Sequence, residues 1–377
     1  MSLGLHLTLL IGQKVPAPAP TLLLEAIQKV QVTNSDQGQD GFQITFSVGR
    51  SGSADSSEYA LVGSSLLKQF NRVIIMVAFG VLPKVLIDGV ITNQQLNPSA
   101  EPGKSTFTVT GEDLSVLMDL EEKSETYPNQ TDDAIVTRLI LAYSQYGLTP
   151  KIVTPASIET PLEINTVTSQ QTTDLKYIRK LAKAHDCVFY IEPTDIPEVN
   201  TAFWGPSIRT GAPQKALSFN MGSQTNVNSI DFQNNALEQT TVTGTIQDPS
   251  TGTSFDIPNL PSLRPSLAGS SDSALNQGNT KSKILRDSGL SIMETLIKAQ
   301  AEVDASGDAV KVSGELDSIQ YGDVLRARGL VGLRGVGQSY DGLYYVKKVV
   351  HNISLGAYTQ SFTLVREGLG STTSVIP

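Results

Sequence analysis

His185, Asp186 and Cys187 supply the residue types of a nucleophile, a general base and an orienting carboxylate. They are consecutive, however, at the end of a helical segment, so their side chains point apart. A histidine there is the cation that a helix C-terminus favours. Cys187 is the only cysteine, which leaves no intrachain disulfide and no Cys-based zinc site. His6 sits in an N-terminal strand with no neighbouring ligand, and an ordinary strand position explains His351 in YYVKKVVHNISL. The run EDLSVLMDLEEKSE could offer a glycosidase carboxylate pair, but on a helix it reads as a solvated face. GLRGVG, Gly332–Gly337, lies among strands with no following Lys-Ser/Thr and opens no helix, so its glycines fit turns or bulges. Tyr340, Tyr344 and Tyr345 have only Lys347 and Lys348 as basic neighbours, which does not make a base-stacking platform. No catalytic, cofactor or metal constellation emerges, and the chain reads as a non-enzyme without a cofactor.

The elements that hold these residues are mostly strands. The 377 residues suffice for two or three domains. Charged residues at 17%, with 31 Gly and 19 Pro, suit strands and turns better than long charged helices. The net charge of −9 argues against broad nucleic-acid or anionic-membrane binding. Much of that charge is local, with eight acidic residues and one basic one, Lys123, between Glu112 and Asp133. Leu5–Ile11 alternates and has no basic residues ahead of it, so it reads as a first strand rather than a secretion signal. The longest apolar run, VIIMVAFGVL, is half a membrane span. The expectation is a soluble protein made in a reducing compartment.

From Leu5 to about Val109, alternating segments separated by Gly, Asn, Asp or Pro predict an antiparallel barrel, residues 1–111. Residues 112–205 read as an α/β insert. EDLSVLMDL has helical spacing, Thr131 can cap a helix that stops at Gly147, and a further helix starts at Thr173-Asp174 and leads into the strand CVFYIEP. Strands return at 206–247 and 305–368, which together predict a second barrel. Between them, 248–304 combines an extended or mobile Pro/Ser/Gly-rich linker with one amphipathic helix, and 369–377 is a tail. VIIMVAFG, apolar on both faces, is where protomer contacts are expected.

Two stretches look alike. LIDGVITNQQLNPSAEPGKSTFTVTGE and YDGLYYVKKVVHNISLGAYTQSFTLVREG each carry Asp-Gly, an alternating segment, a Gly and a second alternating strand. Asp88 to Gly103 and Asp341 to Gly356 both span 15 residues. The fold class predicted is therefore mainly β with an α/β insert, containing two antiparallel tube-like β-barrels related by an internal pseudo-repeat. A trimer of such chains presents six near-equivalent barrels, which would let a three-fold object meet a six-fold one without unpaired strand edges.

With YPNQTDDAIVTRLILAYSQYGL and SQQTTDLKYIRKLAKAHDCVFYIE, these stretches resemble the phage late control D family. That family comprises the baseplate hub proteins of contractile tails and the hub part of VgrG proteins. The resemblance implies structural motif positions at Asp88, Gly89, Gly103, Asp174, Asp341, Gly342, Tyr345, His351, Gly356 and Phe362. It further implies a homotrimeric hub between a six-fold inner tube protein and a separate spike protein, with baseplate wedge or LysM-type proteins as further partners. Such a hub is assembled in the bacterial cytoplasm into a phage virion or injection particle, inserts in no membrane and reads no nucleic-acid sequence. The rival expectation is a secreted carbohydrate-binding β-sandwich protein, with aromatics exposed over a groove.

Overall fold

The computed structural model describes residues 5–13, 15–49, 59, 61–80, 82–101, 103–155, 168–247, 252–271, 279–285 and 292–372. The chain opens with β1 (Leu5–Gly12), β2 (Ala17–Pro18), the short helix α1 (Thr21–Glu25), β3 (Ile27–Ser35), β4 (Gly41–Ser47), β5 (Arg72–Phe79), β6 (Pro83–Asn97) and β7 (Thr106–Asp113). Alternation gives each strand one apolar side, and Val30, Val32, Phe42, Ile44, Phe46, Phe107 and Val109 enter a common core. Strand β5 is apolar on both faces for an internal reason. Val73, Ile75 and Val77 join the main core, while Ile74 and Met76 pack with Leu10 and Val85 behind it. Its side chains are already covered within the chain, so it is not the protomer contact that its composition suggested.

The insert follows as β8 (Glu122–Thr126), α2 (Asp132–Leu141), β9 (Leu148–Ile152), β10 (Ser169–Thr173), α3 (Asp174–Ala184), β11 (Cys187–Pro193) and β12 (Asn200–Pro206). Thr173 caps α3 by accepting from Lys176 N, whereas the Thr131 hydroxyl turns to the Asp133 carboxylate and leaves α2 without a side-chain cap. Helix α2 ends at Leu141, and a 3-10 turn carries the chain to Gly147. EDLSVLMDL gives only a six-residue 3-10 helix, Leu114–Asp119. Its first two residues belong to β7, and buried Asp113 caps it at Ser115 N.

The second β unit contains β13 (Gln214–Ser218), β14 (Val227–Asn234), β15 (Thr240–Thr243), β16 (Thr245–Gln247), β17 (Ser254–Asp256), β18 (Ala268–Ser271), β19 (Lys281–Ile284), α4 (Ile292–Ala305), β20 (Val310–Asp317), β21 (Leu330–Arg334), β22 (Gly342–Ser354), β23 (Ala357–Arg366) and β24 (Gly368–Ser371). Helix α4 packs Ala299 against Val242, Ile246 and Ile257. Residues 252–271 form an extended strap held by polar contacts and by Ile257 and Leu267, which enter apolar clusters. Glu367 accepts from Ser266 Oγ and Ala268 N, β18 pairs with β24, and Arg264 bridges Asp186 to Asp308. The predicted linker is thus tied down along this part, and the residues just after Gly368 form a strand rather than a free tail. The rest of the linker, 248–251 and 272–278, lies outside the described residues.

Both β units belong to one sheet, in the order β14-β20-β23-β22-β3-β4-β7-β6-β5-β1-β2, with β21 also on β22 and β13 on β21. The order β3-β4-β7-β6-β5 in the first unit matches β14-β20-β23-β22-β21 in the second. The match extends to irregularities. A bulge between Ile27 and Lys29, opposite Phe46 and Thr45, is repeated between Val227 and Ser229, opposite Leu316 and Glu315. A bulge between Ile91 and Asn93 is repeated between Val346 and Lys348. Before β5, Phe70 N donates to Ile91 O, and before β21, Arg328 N donates to Val346 O. Both residues hold a left-handed φ, +62° and +68°.

The ladders also correct the register read from spacing. Ile91 matches Val346, so Asp88 matches Leu343 and not Asp341. Gly103 and Gly356 do correspond when counted back from Thr106 and Thr359. The stretch between the matched pairs Asn97–Thr106 and Asn352–Thr359 is two residues longer in the first unit, and this cancels the two-residue offset.

Candidate functional site

Antiparallel pairing puts one row of side chains on one face across both units. Thr359, Asn352, Gln31, Gln43, Thr110 and Asn93 stand opposite one another on β23, β22, β3, β4, β7 and β6. The next row runs Ser354, Lys29, Thr45, Thr108 and Gln95. Gln31 Nε2 donates to Asn352 Oδ1 at 2.8 Å across the joint between the units. The other face supplies the two cores, so this hydroxyl- and amide-rich surface is continuous over six strands.

The joint itself is β22 on β3, with Val350 opposite Thr33, His351 opposite Val32 and Asn352 opposite Gln31. Beneath it lies a buried polar chain. Arg328 donates to Asp40 Oδ1 at 2.5 Å and to Ser35 O at 2.7 Å. Asn34 Nδ2 donates to Asp40 Oδ2 at 2.8 Å, which leaves its Oδ1 as the acceptor for His351 Nε2 at 3.0 Å. That fixes the tautomer: Nδ1 accepts, with Tyr358 OH at 2.8 Å. Burial pushes the His351 pKa down to about 3, with Arg326 adding to the effect. Burial alone would lower Arg328, but the Asp40 carboxylate outweighs it and the guanidinium is held more firmly charged. Asp113, buried and facing Asp40, is pushed up.

The other motif residues spread over the molecule. Asp88 is buried, takes two bonds of 2.7 Å from Arg72 and one of 2.8 Å from Asn200, and so ties the first unit to the insert. A Cβ on Gly89 would lie 2.1 Å from Glu112 O. Asp174 is the polar centre of the insert, bound by Lys123, Gln170 and Tyr143. Asp341 accepts from Val336 N and, through its carbonyl, from Arg366, beside Gly342. Tyr345 is buried under the Arg209 guanidinium, and Phe362 lies over Gly314. Gly103 and Gly356 take positive φ in the two hairpin turns.

His185 bonds Asp132 rather than a nucleophile, Asp186 bonds Arg264, and Cys187 is buried with its thiol pushed up by burial. Tyr344, Tyr345 and Tyr358 are buried, so they make no open aromatic groove. Among the described residues no group of three or more His, Cys, Asp or Glu side chains is placed to hold a metal. No helix among them is long and apolar enough to cross a membrane. A cavity of about 680 Å³ where the insert, strap and second unit meet is lined by paired charges, including Asp186, Arg209, Arg264 and Asp308. Sequence reasoning missed Asn34, Asp40 and Arg328. Only the pairing of β22 with β3 brings them to His351.

Known structures share this architecture. A 43 kDa tail protein of prophage MuSo2 from Shewanella oneidensis aligns with a TM-score of 0.67 at 13% identity, over 97% of this chain and 99% of that one. A tail protein from Neisseria meningitidis MC58 aligns with a TM-score of 0.66 at 11% identity, over 97% and 98%. The Escherichia coli protein c3393, described as a type VI secretion component with similarity to T4 tail proteins, aligns with a TM-score of 0.54 at 11% identity, over 93% and 77%. No curated protein matches the chain. Residues 43–354 match the family described as the Alg8 N-terminal domain, and the chain belongs to that family.

Proposed function

We propose that the chain is a structural hub subunit of a phage-tail or contractile-injection baseplate. It works as a homotrimer that joins a six-fold inner tube to a three-fold spike. The observation that carries this reading is the pair of ladder-matched β units joined edge to edge, with one polar face running across both. Three such chains present six near-equivalent units, which is what a three-fold to six-fold adaptor requires. The polar face then lines the channel. Hydroxyl and amide side chains with few charges offer a moving cargo no strong fixed attachment. Wedge or LysM-type proteins would bind outside the ring, and the particle would be assembled in the bacterial cytoplasm. The likeness to tail proteins from Shewanella and Neisseria supports the reading at the level of fold.

Native mass measurement tests it. A trimer of the 40.3 kDa chain is expected. A chain that stays monomeric at high concentration, even with its tube and spike proteins present, overturns the proposal.

A further inference from the structure

The matched ladders contain one joint and two open edges. Within the chain, the far half of β22 pairs with β3. By the repeat, β22 corresponds to β6 and β3 to β14. Among the described residues, β14 forms a ladder on one side only, with β20, and β6 beyond Ile91 forms one only with β7. We infer that β14 of one copy pairs with the Asn93–Asn97 segment of β6 in the next, repeating between chains the joint that β22 and β3 make within one. The inference rests on the hub reading and specifies its contact.

The register follows from the internal joint. Val350–Thr33, His351–Val32 and Asn352–Gln31 translate to Gln95–Gln233, Leu96–Phe232 and Asn97–Asp231. Leu96 and Phe232 are each half-buried at the rim of their own core, and pairing covers both. Gln95, Gln233, Asn97 and Asp231 then extend the polar face from one chain to the next.

A second observation points to the same partner. In the internal joint, Arg328 reaches the end of β3 and the following turn, at Ser35 and Asp40. Its match, Phe70, is 54% exposed although held at φ +62°, an uncommon position for an aromatic residue. The turn after β14, the match of the turn that Arg328 grips, carries Leu237 at 72% exposure. Between chains, an apolar Phe70–Leu237 contact takes the place of the buried ion pair. The edges are heterologous, so each copy offers one and receives one, and a ring closes with no edge left over.

Opposite residues in an antiparallel pair have Cα atoms about 4.5–5.5 Å apart, within disulfide range. The Gln95→Cys/Gln233→Cys protein, oxidised and run without reductant, is expected to give a covalent trimer, while each single variant gives none. Leu237→Asp, at an exposed site, should weaken association about tenfold or more with the thermal transition unchanged. A wild-type trimer that neither cross-links nor responds to Leu237→Asp overturns the edge pairing and leaves the hub reading standing. Cross-linked ladders running past three confirm the edges and overturn the closed trimer. A wild-type chain that stays monomeric overturns both.

Discussion

At Phe70 and Arg328 the two β units hold a bulky residue in the same left-handed backbone position, with the same hydrogen bond to the strand beside it. One side chain is half exposed, while the other is buried against Asp40 and Tyr190. The backbone device therefore follows from the ladder, and the side chain follows from what covers the edge. The cores show the same division. Phe42 lies over Gly111 where the second unit has Val312 opposite Leu364. Phe362 lies over Gly314 where the first unit has Val109 opposite Ile44. Large-plus-small in one unit replaces two medium residues in the other. The number of side-chain carbons in the pair is kept while residue identity is not, in line with a close-packed core.

Breaking the contrast at its strongest point should cost most. Arg328→Ala leaves Asp40 buried and uncompensated, an expected loss of about 3–5 kcal/mol. Phe70→Ala at the matched position should change the stability of the isolated chain by less than about 0.5 kcal/mol. Urea midpoints measure both, and comparable losses would dissolve the distinction between covered and open edges.

His351 gives the next largest effect. Its folded pKa of about 3 lies below the ordinary histidine value, so the native state disfavours the proton. Its contribution is complete above about pH 6.5 and is lost as pH falls towards 3, about 2–3 kcal/mol by pH 4.5. The matched residue in the first unit is Leu96, which does not titrate. His351→Leu should flatten the acid limb of a stability–pH curve while costing about 1–3 kcal/mol at neutral pH from stranded partners.

Gly314→Ala places a Cβ 2.5 Å from Ser229 O and 2.6 Å from the Phe362 ring, an expected loss of about 2 kcal/mol. Adding Phe362→Val should cost less than the two changes summed, because the pair shares one volume. Strict additivity would show that the glycine is needed for the backbone contact alone.

A further effect has the opposite pH sign. Burial pushes Asp36 up to about 6, against the pull of Lys347 and Arg328, and its Oδ1 lacks a partner among the described residues. The proton favours the native state, so this contribution is complete below about pH 4 and is lost as pH rises through 6. Asp36→Asn should leave stability unchanged in acid and raise it by about 3 kcal/mol at pH 8.

Strand alternation, the helix starting at Thr173-Asp174 and the likeness of the two closing hairpins were all legible in the sequence, because each is a local pattern. Register was not. Two Asp-Gly pairs with equal spacing sit two residues apart in the ladders, since a longer turn hides the offset. The apolar spacing of Leu114, Leu117 and Met118 suggested an α-helix, but a six-residue 3-10 helix is enough to bury Leu114 and Met118. The Arg328–Asp40–Asn34–His351 chain was invisible, because its members lie on separate elements that meet only at the joint.

The joint also orders events in time. Gln31 and Asn352, which bond across it, are 321 positions apart. At about 5–20 residues per second, a ribosome needs roughly 15–60 s between them. For that interval β3 exists without the strand that will cover it. Its edge carries Lys29, Gln31 and Thr33, side chains that discourage a stray strand from taking the place. The later-made β22–β23 hairpin therefore seals a sheet begun with β3, and a nascent chain arrested before β22 would carry an unsealed edge.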